Sequence, residues 1–441
     1  MGDCMTIRKI LFTFVFLVAL VGTAFADIVV AGNGAVVKET FSTATSTSMT
    51  IPGVLNICVG AIQECPQFPN VVVKPDGSSA YASYLYSAGS GVASGIAVFD
   101  LKTNSFVQNM PLDCPMPRKL ALDSTGRLYA PCPYGIDVFS TANNTKLYSI
   151  VFPAGAGGDA NHVAILNDGT LFTAVGPEGT VLSYAPGAVT PSASIRLGTA
   201  VHYFLISPDN AKIFAFLLEA RNFIDSTGHL KLSSIVVLDT SLHVIDYVST
   251  GNTAMEFATI AAGRIYAPAD NGNLYAIDPG SDAVLSSTFL GGYLTGIALG
   301  DDGKLYVAEF FSNRIYSVTV GATPGSDIVG DSFALPDNLH PTGIAALPIV
   351  TVDPIQQLVN QLTTVVNGLN VNPQMKATLL NFANSLPSRI AAMTPTQKSR
   401  LTANIKTFIS LVQVLSTRGI IPATQATQLI NLAKASIAAV S

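Results

Sequence analysis

Leu294-Thr295-Gly296-Ile297-Ala298-Leu299-Gly300-Asp301-Asp302-Gly303-Lys304-Leu305-Tyr306-Val307-Ala308 reads as an apolar strand, a polar turn and a second strand. Gly303, after two aspartates, supplies the positive φ that a tight hairpin requires. The flanking runs are short and rich in Ile, Leu, Val and Tyr, which favours strand over helix. The phrase recurs as Ala80-Tyr81-Ala82, Arg127-Leu128-Tyr129-Ala130, Thr170-Leu171-Phe172-Thr173, Lys212-Ile213-Phe214-Ala215 and Arg264-Ile265-Tyr266-Ala267. Its aromatic residues stand at 81, 129, 172, 214, 266 and 306, and each follows a turn carrying Gly or Asn: Gly77, Gly126, Gly169, Asn210, Gly263 and Gly303. Repeats spaced about forty to fifty residues apart are helical arrays or propeller blades, and strand chemistry selects blades.

Each unit continues with a third strand, such as Ile96-Ala97-Val98-Phe99-Asp100, Ile235-Val236-Val237-Leu238-Asp239 or Leu274-Tyr275-Ala276-Ile277-Asp278, and then a polar turn and a fourth strand. Four antiparallel strands arranged radially leave no long exposed edge. Six units run from Pro69 to about Pro336, and a further inner strand is expected at Gly343 to Leu347. Ile28–Ala31, Val36–Ser42 and Met49–Val59 would supply the other three strands of a shared closing blade. The expected fold is therefore an all-β, seven-bladed propeller (alternatively six-bladed) over residues 27–351, followed by a small α-helical bundle over 352–441.

Val73-Lys74-Pro75-Asp76-Gly77 through Val98-Phe99-Asp100 resembles the YVTN type of propeller repeat, and Leu294 to Ala308 resembles an NHL repeat. That resemblance implies architecture and leaves activity open, because the scaffold hosts binders, lyases and lactonases alike. Quinone-dependent propeller dehydrogenases carry repeated tryptophan motifs, and this chain has no Trp.

Residues 1–26 read as a signal peptide. Arg8 and Lys9 precede the apolar run Ile10 to Val21 and the small-residue site Ala24-Phe25-Ala26. The run is too short for a good membrane anchor, so no span is expected in the mature chain. An extracellular or cell-surface destination follows, with the periplasm as alternative. Removing Cys4 with the signal leaves Cys58, Cys65, Cys114 and Cys132, an even set suited to two disulfides in an oxidising compartment. Four cysteines allow three connectivities. Cys65, Cys114 and Cys132 are expected in loops of one face, which makes Cys58–Cys65 with Cys114–Cys132 the preferred pairing.

The net charge is −5, and charged residues make up only 12% of the chain with no basic stripe, so nucleic acid has no electrostatic foothold. Gly155 to Ala160 matches a dinucleotide-type string, but a strand and hairpin follow it where a helix is needed. After Val352 the composition shifts to Ala, Gln, Leu and Thr. Asn372-Pro373 and Thr394-Pro395 are helix starts, Thr394 with Gln397 fits a capping box, and Arg418-Gly419 ends a helix before another from Pro422 to Val440. Residues 375–438, through Phe408-Ile409, Leu411-Val412, Ile420 and Ala426 to Ala433, resemble the FIMAH-type helical domain. That resemblance implies an exported bacterial protein displayed or assembled at a surface.

Strand order locates the candidate site. Loops joining second to third strands, and those joining one blade to the next, share a face. The stretches Ser83 to Gly95 and Glu219 to Ser234 are expected as long loops there, the usual place for recognition. Residues entering the inner strands should ring the channel mouth: Pro69-Asn70, Arg118-Lys119, Asn161-His162, His202-Tyr203, Met255-Glu256, Thr295-Gly296 and Thr342-Gly343. Two readings follow. One is a binding propeller that takes a protein, a glycan or a small anionic or sugar-like molecule through Asn70, Arg118, Lys119, Asn161, His162, His202, Tyr203 and Glu256. The other is a lyase or lactonase-type hydrolase using His162 or His202 with Glu256 as an acid–base pair. No cofactor is required by either. Calcium is an alternative occupant, since Asn70, Asn161 and Glu256 offer oxygen ligands, as lactonase-type propellers hold a central metal with carboxylates and amides.

Overall fold

The computed structural model describes residues 27–347, except 41–44, 53–66, 89–90, 114–115, 155–157, 225–227 and 337–338. It also describes residue 376, the helix Pro395–Thr417 with the two residues after it, and scattered positions from 422 to 434. Residues 1–26, Cys58, Cys65, Cys114 and most of the string Gly155 to Ala160 lie outside the described residues.

The strands form seven four-stranded antiparallel sheets. Blades 1 to 6 follow chain order at 67–110, 121–151, 163–196, 201–248, 259–289 and 294–334. Blade 7 is the shared one. Its strands lie in the order Gly343–Ala346, Ile28–Ala31, Val36–Thr40, Thr45–Met49. Ile28 pairs with Ala346 and Ala31 with Gly343, so the last described strand of the propeller is hydrogen-bonded to its first. The expected outer strand Met49–Val59 is corrected: Thr45-Ser46-Thr47-Ser48-Met49 pairs with Val36–Thr40 instead. An outermost strand is solvated, so a Ser/Thr run serves there and the apolar sequence that follows misleads.

Each junction between neighbouring blades holds its own apolar cluster. Tyr81, Ile96 and Val98 of blade 1 meet Leu128, Ala130 and Phe139 of blade 2. At the closing blade, Val29, Ala31 and Val36 meet Phe68, Val71 and Ala80 on one side. Ile28, Val30 and Val37 meet Tyr306, Ala308 and Ile315 on the other. The remaining four junctions are filled likewise, which closes the ring.

The repeated phrase has a double function. Its six aromatic residues are all buried. Tyr306 hands its hydroxyl to Asp302 in its own turn at 2.9 Å, whereas Tyr81 reaches Asn144 of the next blade at 2.9 Å. The six turns place Gly77, Gly126, Gly169, Asn210, Gly263 and Gly303 at positive φ, as their sequence requires.

Two expected loops are strands. Ser79–Ala88 pairs with Gly91–Asp100, and Lys212–Ile224 with Leu230–Asp239, so 83–88 with 91–95 and 221–224 with 230–233 are paired strands that extend the hairpins of blades 1 and 4. Cys132 also ends a strand, Arg127–Cys132, and is fully buried rather than in a loop.

Residues 350–441 form a separate compact unit. Its described helix, Pro395–Thr417, buries Ile405, Phe408, Val412 and Leu415 at helical spacing. Gly419, at φ 68°, donates its N–H to Ser416 and stops the helix where Arg418-Gly419 predicted. The capping Thr394 and most of the expected neighbouring helices lie outside the described residues. Among the described residues, no helix is long and apolar enough to cross a membrane.

Candidate functional site

The inner strand of each blade ends at the ring axis, and the segment leading into it defines the mouth. In blades 2 and 5 the strand begins late, at Ala121 and Thr259. Arg118-Lys119 and Met255-Glu256 are therefore ordered connections held over the channel. Arg118 N–H donates to Pro131 O at 2.9 Å, Lys119 N–H donates to Asn161 O at 3.0 Å, and Met255 bridges to Ala269.

Two cavities are lined by described residues at the inner ends of the blades. The mouth cavity, about 350 Å3, is lined by Arg118, Lys119, Asn161, His202, Glu256 and Thr342, with Phe68 and Phe310 among its walls. The second, about 650 Å3, lies along the inner strands and takes in Asn70, His162 and Tyr203. The ring of expected mouth residues is thus split. Arg118, Lys119, Asn161, His202 and Glu256 converge on the mouth, whereas Asn70, His162 and Tyr203 do not line it. Adjacent residues of an extended chain point to opposite sides, which separates Asn161 from His162 and His202 from Tyr203. Phe68, from the first strand of blade 1, and Phe310, from a turn of blade 6, were not foreseen. The pair Phe310-Phe311 in a polar turn was the available signal.

Lys119 organises the mouth floor. Its side chain is 11% exposed, its Nζ donates to Glu256 O at 2.7 Å, and it lies 3.7 Å from the Glu256 carboxylate. Nζ also sits over the Phe257 ring, 4.2 Å from its centre, a cation–π contact. A blade 2 side chain thereby reaches blade 5 across the axis. Burial pushes the Lys119 ammonium down to about 8, against the opposing pull of Glu256. Burial alone would raise the Glu256 carboxyl, but Lys119, His202 and the Tyr293 hydroxyl at 2.9 Å together hold it below its ordinary value. Burial, with the Lys119 charge, pushes His202 down to about 4. At neutral pH the mouth thus presents a neutral imidazole, a carboxylate and two cations.

Two polar atoms at this mouth are buried and meet no hydrogen-bonding partner among the described residues: His202 Nδ1 and Arg118 Nε. The Arg118 guanidinium touches Asp159 at 3.3 Å and 3.4 Å. Such atoms cost about 1–3 kcal/mol each until something satisfies them. Asn70 Oδ1, in the channel, is in the same condition.

His162 is held within the channel wall. Its Nδ1 accepts from Phe204 N–H at 3.2 Å, its ring stacks on Tyr203 at 4.1 Å, and burial pushes it down to about 3. Together with its absence from the mouth lining, this removes His162 as partner of Glu256; His202 shares the mouth with that carboxylate. The oxygen set suggested for calcium is also divided, since Asn70 lies in the channel and Asn161 Nδ2 donates to Val201 O at 3.2 Å. Among the described residues, no group of three His, Cys, Asp or Glu is placed to hold a metal.

No family model and no curated protein matches the chain. Among solved structures, a chain of hydrazine synthase from Kuenenia stuttgartiensis is similar at a TM-score of 0.52 and 16% identity, covering 68% of this chain and 93% of that one. The β-propeller domain of Cps50 (Swd1) from Myceliophteria thermophila is similar at a TM-score of 0.49 and 9% identity, over 64% of this chain and 91% of that one. At such identities the likeness concerns the fold alone, and the fold is a seven-bladed β-propeller.

Proposed function

We propose that this chain is an exported binding propeller that takes a small polar ligand, anionic or sugar-like, in the mouth cavity, with the same face open to a partner. The observation that carries the reading is convergence. Arg118, Lys119, Asn161, His202 and Glu256 arrive from four blades at one cavity, and two of its buried polar atoms await partners. Concave sites with a few converging polar groups and shifted titrations are the usual ligand sites. The test is calorimetric titration with small carboxylates and sugars. Arg118→Ala and His202→Ala should each weaken binding at least tenfold; ligands that bind both variants as tightly as the unaltered protein do not use this mouth.

A second reading, a lyase or lactonase-type hydrolase, draws on His202 and Glu256 sharing the cavity. Turnover of a lactone or glycan library that disappears in His202→Ala and Glu256→Gln supports it. Binding without turnover leaves the first reading standing.

Export rests on the signal-like residues 1–26, and a mature chain recovered outside the cell should begin at Asp27. The pairings Cys58–Cys65 and Cys114–Cys132 belong to the same proposal, and non-reducing peptide mapping checks them. YVTN- and NHL-type repeats and a FIMAH-like helical unit that aids surface display complete it. Deletion of residues 352–441 should release a displayed protein into the medium.

A further inference from the structure

The geometry points to Lys119 as an amine nucleophile that forms an imine with the carbonyl carbon of a small 2-oxo acid held in the mouth cavity. This rests on the reading of the mouth as a ligand site and names the ligand class. Lys119 is the one lysine, among the described residues, that lines the cavity. Its Nζ stands at the floor between the Phe257 ring and the Glu256 carboxylate, largely shielded from water. Shielding of this kind also favours the free amine. At the shifted value of about 8, roughly a tenth of the side chain is uncharged at pH 7, a few hundred times the share in an ordinary lysine.

The neighbours supply what such a ligand needs. Arg118 is adjacent in sequence and lines the same cavity; one of its Nη atoms is paired with Asp159 at 3.3 Å, and a guanidinium fork is the side chain best matched to a carboxylate. His202 lines the same cavity with an imidazole that burial keeps neutral, a group suited to hydrogen-bonding a carbonyl oxygen. Glu256, held ionised, is within reach of Nζ to accept its proton.

The bonds balance without any oxidant or reductant. The Lys119 lone pair forms a C–N bond to the ketone carbon while the carbonyl π pair moves onto oxygen, which takes up a proton. The amine proton passes to Glu256, which gives it to that oxygen and so returns to the carboxylate. The resulting carbinolamine expels its hydroxyl with a proton as one water molecule, which leaves the imine. The charged and titratable groups facing Nζ throughout are Glu256, Arg118, His202 and His162.

The experiment treats the full chain with pyruvate and sodium cyanoborohydride, which fixes an imine as a stable secondary amine, followed by peptide mapping. Thermal shift with pyruvate and with lactate, which has no ketone, is run in parallel. The expected result is one saturable adduct on the peptide containing Lys119, at least tenfold above any other lysine, rising from pH 6 to pH 8. It should be lost in Lys119→Arg, diminished at least tenfold in Arg118→Ala and blocked by excess lactate. Mapping of the unaltered protein carries the result even where a variant fails to fold. Stabilisation by both acids with no adduct at Lys119 overturns the imine and keeps the pocket. Adducts spread evenly over surface lysines also overturn it. Neither stabilisation nor adduct removes both the imine and the small-carboxylate ligand.

Discussion

A buried imidazole that stays neutral makes stability depend on pH with a known sign. His162 holds off protonation until about pH 3, while the unfolded chain takes up that proton near pH 6.5. The unfolded state therefore binds the extra proton between those limits, and stability falls as pH drops through the window by roughly 5 kcal/mol. Urea denaturation from pH 7 to pH 4 should show a shallower loss in His162→Gln than in the unaltered protein. Lys119 acts at the other end. The fold releases its proton near pH 8, the unfolded lysine near 10.4, so stability rises with pH across that span by roughly 3 kcal/mol relative to Lys119→Met. Melting curves of the two proteins at pH 7.5 and pH 10 check this; parallel behaviour would contradict a shielded ammonium. Much of this chemistry was legible beforehand, because strand order alone brings Arg118, Lys119, Asn161, His202 and Glu256 to the mouth. What was not legible is parity: whether a residue two or three positions ahead of a strand faces up or inward depends on where pairing begins, as His162, Tyr203 and Asn70 show.

At the level of turns, two glycines of similar φ are expected to behave differently. Gly303 sits at φ 76° with nothing within 4 Å of where a Cβ would stand, so Gly303→Ala should cost only the left-handed strain, about 1 kcal/mol. Gly272, at φ 82°, would place a Cβ 1.7 Å from Gly291 O in the segment leading to the next blade. Gly272→Ala must displace backbone, and a loss above about 3 kcal/mol in chemical denaturation is expected. The turn glycines were readable because the chemistry of a tight hairpin is local. The hairpins rising from blades 1 and 4 were not, because Ser83-Tyr84-Leu85 and Glu219-Ala220-Arg221 carry polar residues that pass for loop. Their pairing is decided by the opposite strand, which brings Arg221 to Ser233 and Tyr84 to Gly95. In the C-terminal unit, proline and glycine punctuation marked the ends of helix Pro395–Thr417.

For the ring as a whole, closure depends on four-residue strands rather than on any covalent link among the described residues. Ending the chain at Pro341 removes Gly343–Ala346 and strips Ile344 and Leu347 from the two clusters flanking blade 7. That truncation should abolish the cooperative melting transition, whereas a chain ending at Leu347 should keep it; equal transitions would show that the latch contributes little. Blade number was legible because the aromatic period counts the blades and the leftover apolar segments at 28–31 and 343–347 make up the last. The same arrangement orders events during synthesis. Ile28–Ala31 is made first yet has its inner partner only after more than three hundred further residues have left the ribosome. Throughout that interval it is a bare sheet edge able to recruit the wrong strand, so a slow final docking step and a need for protection of the nascent chain are built into the way the circle is joined.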